Sequence, residues 1–236
     1  MKKTLMAASI LAGAVGAYAQ GSLNWGDAQS GFAISIISPS TTTPSLEQSG
    51  NTSWDTPAGD ATYSGGWIGG GAAPGGGIGA TLASGPYGIN YQNANEFTMG
   101  LYVDTSLTAL TSDILAGTPV ATTTLLGGSD AGLYNPVPGV YVSGLAPATM
   151  VYVGLAAWYN GDGATSYATS MADSGVEGFV ESSSEVSLGG GAAPPSGIDG
   201  LGLSSFSLAG TVPEPSTIAL GVIGASTFLM RLRRKQ

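Results

Sequence analysis

The sequence predicts an all-β fold, an antiparallel β-sandwich of jelly-roll-like type, on three observations. Glycine supplies 39 of the 236 residues, and charged residues make up only 9% of the chain, a composition suited to a turn-rich β protein. Short β-prone runs recur at close intervals between Gly, Pro, Asn and Asp breaks. Several runs alternate, so that Val151, Val153 and Leu155 share one face while Tyr152 and Gly154 take the other.

The length favours one domain with enough chain to bury a core. That domain is expected over residues 20–210, between a leader at 1–19 and a separate segment at 211–236. Its strands are expected at Phe32 to Ile37, Phe97 to Val103, Val120 to Leu126, Val140 to Val142, Met150 to Trp158 and Leu203 to Leu208. Many strands at this spacing suit an antiparallel sandwich or barrel. One short helical turn is expected between Leu107 and Leu115.

Charge is distributed in one sense. All six basic residues sit at the two ends: Lys2, Lys3, Arg231, Arg233, Arg234 and Lys235. The interval from Thr4 to Met230 holds all fifteen Asp and Glu, with no Lys, Arg or His, for a formal charge of −15. Such a surface does not neutralise phosphates, so nucleic acid is excluded as a partner. Cations such as Ca²⁺ are its natural counterions. The absence of cysteine excludes disulfides and thiolate chemistry.

The missing residue types narrow the chemistry further. A domain without His, Cys, Lys or Arg has no serine triad, no cysteine nucleophile, no Schiff-base lysine and no arginine clamp, and no zinc site built on His or Cys. A carboxylate pair of the glycosidase kind survives, but no catalytic residue is assigned. Glu177, Glu181 and Glu185 are spaced by four, which on a helix would form a self-repelling acidic stripe. The neighbouring Gly175, Gly178 and serines point instead to a loop or strand.

Asn160-Gly161-Asp162-Gly163 shares its close-set oxygens and glycines with part of a calcium loop, but it lacks the alternating acidic positions and closing Glu. A hairpin turn after a strand ending at Trp158-Tyr159 accounts for it better. Calcium is thus the one cofactor left open, and no metal ligands are assigned. The six-residue string Gly69-Gly70-Gly71-Ala72-Ala73-Pro74 recurs as Gly189-Gly190-Gly191-Ala192-Ala193-Pro194. Two flexible connections of similar composition explain it better than a duplicated ligand-facing loop. Neither copy is followed by the Lys-Ser or Lys-Thr of a phosphate loop. Trp25, Trp54, Trp67 and Trp158 have flat rings suited to stacking on sugars, although core packing accounts for most tryptophans in a β protein.

The two ends carry an address. Lys2 and Lys3 precede a short apolar stretch from Leu5 to Gly16, and Ala17-Tyr18-Ala19 gives a small-x-small pattern for signal peptidase cleavage before Gln20. At the other end Pro213-Glu214-Pro215 precedes an uncharged run that includes Ile218, Ala219, Leu220, Val222, Ile223, Phe228, Leu229 and Met230. The basic group Arg231, Arg233, Arg234 and Lys235 follows. That run is a little short of the roughly 20 residues of a relaxed membrane span, and its basic flank would stay cytoplasmic. The two prolines hold the preceding stretch extended.

This tail resembles the PEP-CTERM sorting signal, matching its Pro-Glu-Pro motif, transmembrane helix and Arg-rich end in order over about the last 25 residues. The resemblance implies recognition by an exosortase at the inner membrane, transient residence there, and delivery to the cell surface or extracellular matrix, often beside exopolysaccharide. In that reading Pro213, Glu214 and Pro215 are recognition elements. More weakly, the later segments, from Gly139-Val140-Tyr141-Val142 through Trp158-Tyr159 to Gly200–Leu208, are similar to secreted PEP-CTERM proteins of uncharacterised function. The leading expectation is a non-enzymatic surface or matrix protein. A carbohydrate-binding module with the same address is the alternative, and a carboxylate-based glycosidase ranks third.

Overall fold

The computed structural model describes residues 20–26, 28–29, 32–40, 49–50, 66–70, 86–173, 175–191 and 193–210. The expected leader and sorting segment lie outside these residues. Within them the chain is built mainly of strands arranged in several sheets, with few helices.

The longest pairing joins β6 (Phe97–Asp104) to β9 (Met150–Tyr159). They run antiparallel from Phe97 opposite Tyr159 to Asp104 opposite Tyr152. Both sequences are rich in β-branched and aromatic residues, and the alternation sorts them cleanly onto two faces. Phe97, Met99, Leu101 and Val103 share one face with Val151, Val153, Leu155 and Ala157, and all lie in the main core. The opposite face carries Tyr102, Ala156 and Trp158, which belong to a second cluster. The face expected for Val151, Val153 and Leu155 is therefore present, but its reverse is buried as well.

The central sheet extends on one side to β7 (Ala121–Thr124), paired with β6. On the other, β10 (Val176–Glu181) pairs with β9, and β14 (Ala209–Gly210) pairs with β10. The short β11 (Val186–Ser187) also pairs with the start of β9. All these pairings are antiparallel. A second sheet has β1 (Gly21–Trp25) between β8 (Val137–Val142) and β12 (Ser196–Gly197). It turns Leu23, Trp25, Val140 and Val142 into the main core, against the central sheet's apolar face. A third sheet sets β13 (Ser205–Ser207) between β4 (Ile36–Ile37) and β5 (Ser49–Gly50), and β2 (Ala28–Gln29) pairs with β3 (Phe32–Ala33). The pairings β1–β12 and β4–β13 are parallel, a departure from the wholly antiparallel expectation.

The second departure is a helical layer. The helical turn expected near Leu107 is the helix α1 (Leu107–Ala116), and α2 (Tyr167–Ala172) lies beside it. Ser106 caps α1 by accepting from the Ala109 amide, and Gly117 closes it in the left-handed conformation. Ser166 and Thr169 form a reciprocal capping box at the start of α2. Leu110, Ile114 and Tyr167 then cover Tyr102, Ala156 and Trp158. Small residues on β6 and β9 make room for this layer. Gly100 faces Ala156 across the ladder and Tyr102 faces Gly154. A side chain begun at Gly154 would meet the Ile114 Cδ1 atom at 2.8 Å and the Leu110 Cδ1 atom at 3.3 Å.

That contact makes Gly154 the seat of α1. Gly154→Val is expected to cost about 1–3 kcal/mol through overpacking, read as a lower midpoint in urea unfolding, whereas Val153→Ile on the other face of the strand should not disturb α1. An unchanged midpoint for Gly154→Val would mean that α1 is not packed on this strand.

Candidate functional site

Among the described residues, a concavity with an exposed aromatic lies on the outer face of the β12–β1–β8 sheet. Strand alternation in Val140-Tyr141-Val142 turns the two valines inward and leaves Tyr141 68% exposed. Ser22 lies opposite Tyr141 in the ladder. Together with Gln20 these residues form one side of a cleft of about 400 Å³ whose other side is Gly190, Gly191, Ala193 and Pro195. Among the described residues no lining residue is charged.

The glycine wall is held by backbone bonds. Ser22 and Gly189 exchange N–H···O bonds of 2.9 Å in both directions. Gly190 and Ala193 do the same at 2.9 and 3.1 Å, closing the loop on itself. Gly190 sits at φ +120°, and a Cβ there would meet the Gln20 carbonyl oxygen at 2.6 Å, so the position requires glycine. The Asn24 Nδ2 donates to the Pro195 carbonyl at 3.4 Å, and its Oδ1 accepts from the Gly139 amide at 2.9 Å. One side chain thereby ties β12 and β8 to β1.

The two copies of the Gly-Gly-Gly-Ala-Ala-Pro string differ in backbone shape. At the first position Gly69 has a positive φ and Gly189 does not, whereas at the second both Gly70 and Gly190 do. A shared composition with different local geometry fits two separate connections. Residues 71–74 and Ala192 lie outside the described residues.

The tryptophans proposed for sugar stacking are core residues where they are described. Trp25, Trp67 and Trp158 are at most 6% exposed, and Trp54 lies outside the described residues. Trp25 packs on Tyr134 with ring centroids 5.5 Å apart. The most exposed aromatic among the described residues is Tyr141, which the sequence reading passed over, although Val140-Tyr141-Val142 carried the alternation that identifies it.

The acidic run Glu177, Glu181, Glu185 falls on β10 and the chain after it, as the glycines suggested. Glu177 and Glu181 point toward the helices. Ser170 of α2 donates to the Glu177 Oε2 at 3.3 Å, and Thr111 of α1 donates to the Glu181 Oε1 at 2.6 Å. Glu177 is only 5% exposed, so a hydroxyl donor performs the service that Arg or Lys gives in other proteins. These carboxylates join helix to sheet and do not line the cleft.

Asn160–Gly163 is a turn, with the Gly163 amide on the Asn160 carbonyl at 3.0 Å and the Ala164 amide on the Asp162 Oδ1 at 3.0 Å. It leads from β9 into α2, not directly into a returning strand, so the hairpin expectation is corrected to a strand-to-helix turn. Among the described residues no three Asp or Glu side chains come together as metal ligands, and no helix is long and apolar enough to cross a membrane. Of the expected processing residues only Gln20 is described; it is exposed and sits at the cleft. Ala17 and Ala19 lie outside the described residues, as do Pro213, Glu214 and Pro215, the apolar run to Met230, and the basic group after it.

Compared with family models, curated proteins and solved structures, the chain has no match.

Three tyrosines have raised pKa values. Burial under α1 pushes the Tyr102 hydroxyl well above its ordinary value of 10.0. Burial also raises Tyr87, assisted by the Glu177 charge, and Tyr159, assisted by the charge and hydrogen bond of Glu96 and by Asp162. A group that binds its proton more tightly when folded stabilises the fold fully below its unfolded pKa, and that stabilisation is lost as pH rises through the folded value. The urea midpoint is therefore expected to fall above about pH 10. Because the buried Tyr102 hydroxyl has no hydrogen-bond partner among the described residues, Tyr102→Phe should leave neutral-pH stability within about 1 kcal/mol and shift the alkaline decline to higher pH. An alkaline decline unchanged by Tyr102→Phe would contradict this assignment.

Proposed function

We propose that this chain is an exported, non-enzymatic surface or extracellular-matrix protein whose C-terminal segment is processed by an exosortase-type enzyme and whose β domain works beside exopolysaccharide. The observation that carries the reading is the ordered tail. Pro213-Glu214-Pro215 is followed by an apolar run to Met230 and then by Arg231, Arg233, Arg234 and Lys235, in a chain that also carries a signal-peptide pattern ending at Ala19. An extended Pro-Glu-Pro stretch suits the grip of a processing enzyme, and the basic end suits retention on the cytoplasmic side while the rest is outside. In this reading the protein meets signal peptidase first, then the inner membrane and the processing enzyme.

In the finer architecture we infer, the central sheet and the β12–β1–β8 sheet are the two leaves of a jelly-roll-like sandwich, with the helices as an added layer. The absence of Lys, Arg, His and Cys from Thr4 to Met230 supports a binding or structural role over catalysis, since the usual acid, base and nucleophile groups are missing.

Mass spectrometry of the protein recovered from its producing cells tests the reading at both termini. The expected result is a start at Gln20 and an end between Pro213 and Ser216. A product still carrying Gln236 would make the tail a plain anchor and remove the sorting role.

A further inference from the structure

We propose that the cleft beside Tyr141 binds a neutral glycan chain, with one sugar ring stacked on the Tyr141 ring and its hydroxyls met by the polar groups of Gln20 and the glycine wall. Three properties of the cleft select this ligand. The first is charge. Among the described residues no lining residue is charged, and the chain from Thr4 to Met230 has fifteen carboxylates with no Lys or Arg. Anionic polymers are repelled by such a surface.

The second property is shape and chemistry. A flat, exposed aromatic face bordered by the Gln20 amide and backbone groups matches a pyranose, which presents C–H bonds on its faces and hydroxyls around its rim. A volume of about 400 Å³ falls within the roughly 300–1,000 Å³ of small-molecule sites.

The third is rigidity. The wall is fixed by the paired bonds of Ser22 with Gly189 and of Gly190 with Ala193, and by the Asn24 contacts to Pro195 and Gly139. A ligand entering this cleft does not have to order a loop, which lowers the entropic cost of weak, repeated contacts along a polymer. The proposal does not depend on how the tail is processed, so its failure leaves the sorting reading standing.

The test is affinity electrophoresis of the exported full-length protein in gels containing dextran, laminarin or hydroxyethylcellulose, with polygalacturonate as the anionic comparison. Retardation by at least one neutral polymer is expected, and none by polygalacturonate. Tyr141→Ala should weaken that retention by about ten-fold or more, while Tyr141→Phe keeps it within about three-fold. Because Tyr141 is 68% exposed, the urea midpoint of either variant should match the parent, which separates lost binding from lost folding. Three results would overturn the proposal: no retardation by any neutral polymer, full retention by Tyr141→Ala, or preferential binding of polygalacturonate.

Discussion

Burial of both faces of the β6–β9 ladder is the constraint on which the other layers depend. One face of the pair is lined by Met99, Leu101, Val103, Val151, Val153 and Leu155, and it holds the second sheet through Leu23, Trp25, Val140 and Val142. The other face is mixed, with Gly100 and Gly154 beside Tyr102, Ala156 and Trp158, and it seats α1 and α2. A fully buried large apolar side chain contributes roughly 1.5–3 kcal/mol, so a ladder buried twice concentrates much of the hydrophobic driving force in two strands. The surface that carries Tyr141 is the outer side of a sheet placed by that driving force.

The lack of cations in the domain shapes the polar contacts around this core. Glu177 and Glu181 meet Ser170 and Thr111, Glu96 accepts from Asn93 at 2.8 Å, and Asp162 accepts from a backbone amide. Each is a donor from a hydroxyl, amide or main chain, where an ion pair would serve in a more ordinary composition. The described lining of the Tyr141 cleft carries no charged side chain either, so the proposed glycan would be held there by ring stacking and neutral hydrogen bonds.

Much of the central sheet was legible because its strands satisfy local and global preferences together. Val151, Val153 and Leu155 announce a buried face, and Gly175 and Gly178 argue against a helix through Glu177, which indeed lies on β10. Other elements depend on distant partners and left little local trace. Strand β1, Gly-Ser-Leu-Asn-Trp, is defined by pairing with β8 and β12, more than a hundred residues along the chain. Helix α2 is only six residues long, and its box uses Thr169 where the usual signature has Glu or Gln. The turn at Asn160–Gly163 was visible, but not the helix that follows it. For the cleft, alternation alone marks Tyr141, whereas the opposing Gly189–Pro195 wall is brought there by bonds to Ser22 that no sequence window contains.

A layered scaffold that presents a preformed cleft makes a direct demand on backbone protection. Native-state hydrogen exchange on the purified protein reads it amide by amide. The account predicts that amides in β6 and β9 exchange only with global unfolding, and that those of Ser22, Gly189, Gly190 and Ala193 are protected well above the level of an open loop. Free exchange at these wall amides beside a protected β6–β9 ladder would show that the cleft is not prebuilt. Early exchange in β9 itself would contradict the central place given to that strand.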